Sequence, residues 1–318
     1  MQLMDGVNEG QIEGFCMIKS IEQRQTAAGK AYLALTLSDA GGQVEARLWD
    51  YDEDLHGGYQ PEDIVKIRAS LAPYKGQNQL RIERIRPMDD KDDVDMDAII
   101  PSAPEQPNAM FEQILERVHA FADDDLKCVV LHLLNKKQSA LMRYPAAYRL
   151  HHAYRGGLLH HMISMMRLAR GVCQVYPYLD EELIISGILL HDIAKVEELD
   201  VGASGIATGY TESGLLLGHI PMGVAEVHQV AEELGVGERT RLLLEHIMLS
   251  HHGVAEYGST RQPMFPEAEV VSTLDLLDAR LFEMRDALAA IPVGGFSNRV
   301  WSLDNRQLYQ HGREKIDK

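Results

Sequence analysis

His191-Asp192-Ile193-Ala194-Lys195 closes an amphipathic run that carries Ile184, Ile185, Ile188 and Leu189. Adjacent His and Asp can both reach one ion only where a helix points edge-on at it. Lys195, at offsets of four and three, places an ammonium one turn further on. In isolation this short string reads as a helix-end salt bridge between Asp192 and Lys195, and its weight comes from its company. His161, the pair His251-His252 and Asp275 also fall in helix-patterned, largely apolar stretches. Imidazole nitrogen and carboxylate oxygen suit borderline and hard divalent metals. Burying several such groups without a metal or partners costs several kcal/mol, so together they point to a metal site.

Working outward, His161 shares a helix face with Leu158, Met165 and Leu168, whereas His160 lines up with Ser164 and Arg167. His161 is therefore the inward ligand and His160 a solvated neighbour. His219 precedes Pro221, a residue suited to the first turn of a helix. His251 and His252 close a helix just before Gly253, and His246, earlier on that helix, is open between core, ligand and substrate contact. Asp275 follows Val270, Val271 and Leu274, where an unpaired carboxylate is expensive. Asp278, one turn later, is expected to pair with Arg280 or Arg285 as a structural residue. His161, His191, Asp192, His219, His251, His252 and Asp275 exceed what one ion takes, so the expectation is two ions bridged by Asp192. Such a pair favours phosphate-ester hydrolysis.

The 318 residues carry a net charge of −17, which argues against binding a polyanion through the whole surface. A local basic run exists between Lys66 and Arg86: Lys66, Arg68, Lys75, Arg81, Arg84 and Arg86, against Glu83 alone. Phe15, Tyr32, Trp49 and Tyr74 lie nearby, and bases stack on such rings while cations follow phosphates. Phe15 and at least one other ring are expected in the core of this region. Trp49, Tyr74, Lys75 and Arg81 are the candidate nucleic-acid contacts, joined by His151, His152 and Tyr154 ahead of His161. Cys16, Cys128 and Cys173 are odd in number and show no CxxC spacing, which suits a reducing cytoplasm. No secretory signal and no bilayer-length apolar run is visible, so no membrane partner is expected.

Residues from about Gln11 to Arg86 read as five short strands with turns at Ala28-Gly29-Lys30, Gly41-Gly42, Gly57-Gly58 and Lys75-Gly76-Gln77-Asn78. Five strands in so short a stretch form a small closed barrel, an OB-fold first and an SH3-like barrel as the alternative. Asp89, Asp90, Asp92, Asp93, Asp95, Asp97 and Glu105, with Pro101, Pro104 and Pro107, make residues 88–108 a solvated, semi-extended linker. From Ala109 the period is helical. The expected organisation is a barrel over 1–87, the linker over 88–108 and an all-helical domain over 109–318.

The HDxxK string is the hallmark of the HD superfamily of metal-dependent phosphohydrolases, and the resemblance extends further. The segment from His151-His152-Ala153-Tyr154-Arg155-Gly156-Gly157-Leu158-Leu159 to His161 resembles the corresponding segment of the YhaM-type 3′→5′ exoribonucleases. So do Leu249-Ser250-His251-His252-Gly253, Glu256-Tyr257-Gly258-Ser259, Leu276-Leu277-Asp278-Ala279-Arg280 and the ending Trp301 to Arg306. That family joins an N-terminal OB-fold to an HD domain. The resemblance implies an exonuclease on single-stranded RNA, and sometimes DNA, that works from the 3′ end by metal-hydroxide attack and releases nucleoside 5′-monophosphates. Manganese is the implied metal, with iron, magnesium, nickel and cobalt as alternatives. Asp192 and Lys195 are the expected catalytic groups. His160 stands where the family carries Glu. A small-nucleotide or cyclic-dinucleotide phosphodiesterase is the first rival, although Val254-Ala255-Glu256-Tyr257 lacks that group's GYP string. A nucleic-acid-binding regulator with a structural HD domain is the second.

Overall fold

The computed structural model describes residues 11–26, 28–71, 79–89, 91–148, 150, 152–202, 204–253, 259–289 and 291–313. The chain divides into two compact units, Met1–Pro104 with Val201–Thr208, and Glu105–Asp200 with Gly209–Lys318.

In the first unit, strands β1 (Gln11–Gln25), β2 (Ala31–Asp39), β3 (Gly42–Leu48), β4 (Ile64–Leu71) and β5 (Gln79–Pro87) close a barrel in the order β1-β2-β3-β5-β4. β1 serves both neighbours: Gln11–Met17 pairs with β4 and Met17–Gln25 with β2, across an irregularity between Ile18 and Ser20. Such a bulge bends a strand and sharpens its twist, which closure requires. Antiparallel neighbours and a parallel β3–β5 seam make this the OB-type barrel rather than the SH3-like alternative. Alternate residues such as Cys16, Ile18, Leu35, Leu37, Val65, Ile67, Leu80 and Ile82 fill it.

That alternation corrects one expectation. Cys16 and Ile18 take the inward positions, so Phe15 and Met17 face outward. They meet Val94, Ile99, Ile100 and Ile206 instead, and Lys66 and Arg86 lie over the Phe15 ring. The ring inside the barrel is Tyr59. The acidic stretch after β5 also departs from a solvated, extended linker. Met96–Ile99 forms a helical turn, Ile99 and Ile100 are buried, and Ala40 N donates to Ala98 O. Two buried isoleucines supply about 3–6 kcal/mol of transfer free energy, enough to fix a short segment despite its charge.

The second unit holds seven longer helices among the described residues: α1 (Pro107–His119), α2 (Asp124–Leu141), α3 (Gly157–Val175), α4 (Glu181–Leu190), α5 (His219–Leu234), α6 (Glu238–Ser250) and α7 (Pro266–Leu288). Local chemistry sets their starts. Asp123 and Asp180 cap α2 and α4 with side-chain oxygens, and Pro107 and Pro266 open α1 and α7. Helix α4 is apolar on every face, and Leu183–Leu190 are all buried. It therefore runs through the centre, packed by α2, α3, α6 and α7. A Cβ on Gly187 would lie 2.8 Å from Ile247 and 3.0 Å from Val271, so glycine lets α6 and α7 close on α4.

Candidate metal centre

A helix apolar all round delivers its C-terminus into the interior, and α4 ends there with His191 and Asp192. Four further segments converge on this point. The N-terminal part of α3 brings His161, the first residue of α5 brings His219, the end of α6 brings His251 and His252, and the middle of α7 brings Asp275. Gly218, at φ +77°, turns the chain into His219. His161, His191, Asp192 and His251 are at most 1% exposed.

Asp192 is the hub. Its Oδ2 lies 2.7 Å from Lys195 Nζ and 3.2 Å from His191 Nε2. Its Oδ1 lies 3.4 Å from His219 Nε2 and 3.9 Å from His251 Nε2. Asp275 Oδ1 lies 3.2 Å from His161 Nε2 and 4.0 Å from His191 Nε2. His252 places a ring nitrogen within a common ligand sphere with His219 and His251, and their ring centroids lie 5.4 Å and 4.2 Å from its own.

The opposite nitrogen of each buried imidazole is held by protein. His161 Nδ1 meets Asp278 Oδ2 at 2.8 Å, and His191 Nδ1 meets Ile188 O at 2.8 Å. His219 Nδ1 meets both Glu198 oxygens at 3.0 Å, and His251 Nδ1 meets Met248 O at 2.7 Å. Donation through Nδ1 leaves the Nε2 lone pair facing inward, the tautomer a metal needs. Nε2 of His191, His219 and His251 and Oδ1 of Asp192 are buried without a hydrogen-bond partner. Orphaned buried acceptors of this kind are costly, and a divalent cation is the partner that satisfies all of them. The donor set fits the ion that the sequence pattern implies.

Without a bound ion, the buried acids and bases hold one another in charge. Burial opposes charge on Asp192, yet His191, Lys195 and His219 together hold its carboxyl well below the usual range. Burial likewise opposes ionised Asp275, but hydrogen bonding from His161 and charge on His191 keep its pKa low. Burial, reinforced by the neighbouring His252 and His191 rings, pushes His251 far down against the pull of Asp192 and Asp275, keeping it neutral. For His161 burial is overcome by Asp275 and Asp278, and without an ion its pKa rises to about 9, so a metal bound at Nε2 would have to displace a proton there. Lys195 is disfavoured as a cation by burial but held charged by Asp192.

A family model described as HD domain matches residues 158–280, a span that holds every converging side chain. A second, described as a putative helicase, matches residues 101–183. Curated relatives described as 3′-5′ exoribonuclease YhaM from Bacillus subtilis, Bacillus velezensis and Bacillus licheniformis are each 37% identical over 300 residues. They cover 94% of this chain and 95% of their own. The chain belongs to the YhaM family of 3′-5′ exoribonucleases. Among solved structures, the OB domain of Ta0387 from Thermoplasma acidophilum aligns with 30% of this chain and 90% of its own, at 14% identity and TM-score 0.24. A replication protein A heterotrimer bound to ssDNA aligns with 26% of this chain and 59% of its own, at 20% identity and TM-score 0.22.

In this YhaM-family chain the side chains around the ligands differ from expectation in three respects. Asp278 pairs with neither Arg280 nor Arg285. Its Oδ2 accepts from His161 and, at 2.8 Å, from His152 Nε2, while Arg280 pairs with Asp304. The three-residue step from Asp275 puts both carboxylates on one face of α7, a signal that the sequence did carry. His152 is not a surface contact: it is 2% exposed, and its Nδ1 lies 2.7 Å from Tyr154 Oη. A Cβ on Gly157 would meet His152 O at 1.9 Å, so glycine at the start of α3 makes room for it. His160 is half-buried against Tyr154 rather than solvated, because Tyr154 Oη lies between it and His152. Glu198, which holds His219, was legible only as an acid six residues after Asp192. His246 sits outside the cluster, accepting from Met264 N at 3.0 Å beside the Phe265 ring.

On the barrel, Trp49 is exposed with its ring 4.7 Å from that of Tyr32, and Arg81 and Arg84 are exposed on β5. The basic run is less free than its composition implies. Lys66 pairs with Glu13, Arg68 with Glu83 and Arg86 with Asp92. Glu13 and Glu83 come from β1 and β5, so the folded barrel brings them to β4, whereas Asp92 follows Arg86 by six residues. Tyr74, Lys75, the turn at 75–78, His151 and residues 254–258 lie outside the described residues. No helix among the described residues is long and apolar enough to cross a membrane.

Proposed function

We propose that the protein is a divalent-metal-dependent 3′→5′ exonuclease that shortens single-stranded RNA, with single-stranded DNA as a second substrate, releasing nucleoside 5′-monophosphates in the cytoplasm. The observation that carries this is the inward convergence of orphaned imidazole nitrogens on Asp192. The family and the 37% identity to proteins described as exoribonucleases support it.

The two oxygens of Asp192 face different histidines. His161, His191 and Asp275 gather on one side and His219 and His252 on the other, with His251 within reach of both. These residues would hold two divalent ions, Asp192 offering one oxygen to each side, and manganese is the metal that the family resemblance implies. Bound divalent ions supply Lewis acidity toward a phosphodiester and lower the pKa of water. The chain's own residues do the rest. Asp278 and Glu198 fix the His161 and His219 rings, so the ligand nitrogens need no reorganisation. Asp192 keeps Lys195 protonated, and that ammonium can answer charge that develops on phosphoryl oxygens in the transition state. The barrel's Trp49 and Arg81 provide a ring and a cation for the strand. The domain limits 1–87, 88–108 and 109–318 belong to this reading.

Manganese-loaded protein incubated with 5′-labelled single-stranded RNA tests it. The expected product is a ladder shortening from the 3′ end. Inert RNA together with cleaved cyclic dinucleotide would replace this reading with a cyclic-dinucleotide phosphodiesterase. Inert RNA and cyclic dinucleotide, with nucleic acid still bound, would leave a binding-only regulator.

A further inference from the structure

Residues 293–312 fold back on themselves after α7. Isolated bridges pair Phe296 with Tyr309 and Val300 with Arg306. The turn is pinned: Leu303 and Leu308 are buried with Leu288 against Met284 and Ala287 of α7, and Asp304 pairs with Arg280 at 3.1 Å. What the anchoring leaves outside are three rings. Phe296, Trp301 and Tyr309 are 64%, 76% and 50% exposed, and the Phe296 and Tyr309 centroids lie 5.0 Å apart.

Rings left in water forgo the transfer free energy that drives folding, and three on one firmly held turn mark a binding surface. Charge decides what binds. Arg299, Arg306 and Arg313 accompany the rings against one acid, Asp304, which Arg280 already pairs. This is the reverse of the chain's net charge of −17. The core of a protein–protein interface is depleted of charge, whereas rings interleaved with arginines make up a single-strand platform.

We propose that the 293–312 turn is a stacking platform for the bases of a single-stranded nucleic acid whose end occupies the metal centre. The proposal rests on the exonuclease reading above. Helix α7 carries Asp275, and its anchoring residues Met284 and Leu288 lie nine to thirteen positions on. That is roughly 14–20 Å along the helix. A dinucleotide in the metal centre is too short to reach the platform, and a longer strand spans the gap.

The test uses full-length, manganese-loaded protein and its Trp301→Ala, Phe296→Ala and Trp301→Phe variants. Each acts on a long single-stranded RNA and on a dinucleotide of the same 3′ sequence. The ratio of kcat/KM on the long strand to that on the dinucleotide should fall about tenfold in each alanine variant, mainly through KM. Trp301→Phe, which keeps a stackable face, should restore most of it. An unchanged ratio in folded alanine variants overturns the platform. A change of sedimentation in the variants with equal losses on both substrates also overturns it, in favour of a contact between copies. Wild-type protein inert on both substrates would instead sink the exonuclease reading itself. If the alanine variants fail to fold, the fluorescence of Trp301 in a Trp49→Phe background decides: protection from quenching by long RNA supports the platform, and equal quenching with and without long RNA overturns it.

Discussion

Replacing Asp192 by alanine separates what the hub does for stability from what it does for chemistry. Its carboxylate is 1% exposed and faces Lys195 Nζ at 2.7 Å, whose own side chain is 11% exposed. Removing one partner of a buried pair leaves an uncompensated charge and costs about 3–5 kcal/mol. That is a large share of a typical domain stability of about 5–15 kcal/mol, so loss of activity in this variant alone would be ambiguous. The double variant Asp192→Ala/Lys195→Met removes the stranded ammonium as well, and exchanging a whole buried pair for apolar groups is often neutral. The expected outcome is that denaturant melts of the metal-free proteins place Asp192→Ala several kcal/mol below wild type. The double variant recovers most of the deficit, and neither hydrolyses RNA at saturating manganese. Nucleic-acid binding by the barrel should stay within a few-fold of wild type in both. Substantial turnover by metal-replete Asp192→Ala would refute the bridging role. A double variant no more stable than the single one would refute the account of the Lys195 pair.

Three further outcomes follow from named contacts. Glu198→Ala frees the His219 ring, so metal titration should show affinity about 10–100-fold weaker, and unchanged affinity would remove Glu198 from the site. Arg81→Ala should weaken binding to single strands of every sequence alike and lower the salt slope by about one. An unchanged slope would show that β5 does not follow the phosphates. Glu226 reports on pH: burial opposes its charge, but hydrogen bonds from Lys136 and Lys137 win and hold its carboxyl low. Its folded pKa lies below the unfolded value, so its contribution is full above about pH 4.5 and is lost as pH falls through the folded pKa. Thermal melts should therefore decline more steeply below about pH 4.5 in wild type than in Glu226→Gln, and parallel declines would count against it.

Much of the fold was legible because the signals are local. Period-two alternation in residues 11–86 marked the strands, and the 3.6 period after Ala109 marked the helices. Alternation also contained the answer for Phe15, since Cys16 and Ile18 already occupied the inward parity. The seven side chains expected as ligands, which converge in the fold, stand out in the sequence for a different reason. Each sits on or against an apolar helix face, where a polar group stands out and needs a cause.

What surrounds those ligands depended on residues distant in the chain. Asp278 reaches His161 across 117 residues and His152 across 126. Ser204 in Val201–Thr208, a segment of the barrel unit, bonds Glu62 across 142. The acid that pairs with Lys66, Glu13, likewise comes from a strand that the basic run does not adjoin. The sequence by itself determined which side chains must be buried or capped, because hydrophobic periodicity and helix-end chemistry act over a few residues. Only the tertiary structure decided which partner each buried polar group takes. That choice depends on which helix faces and strand edges meet, and hydrogen bonds form where three-dimensional distance allows, whatever the separation along the chain.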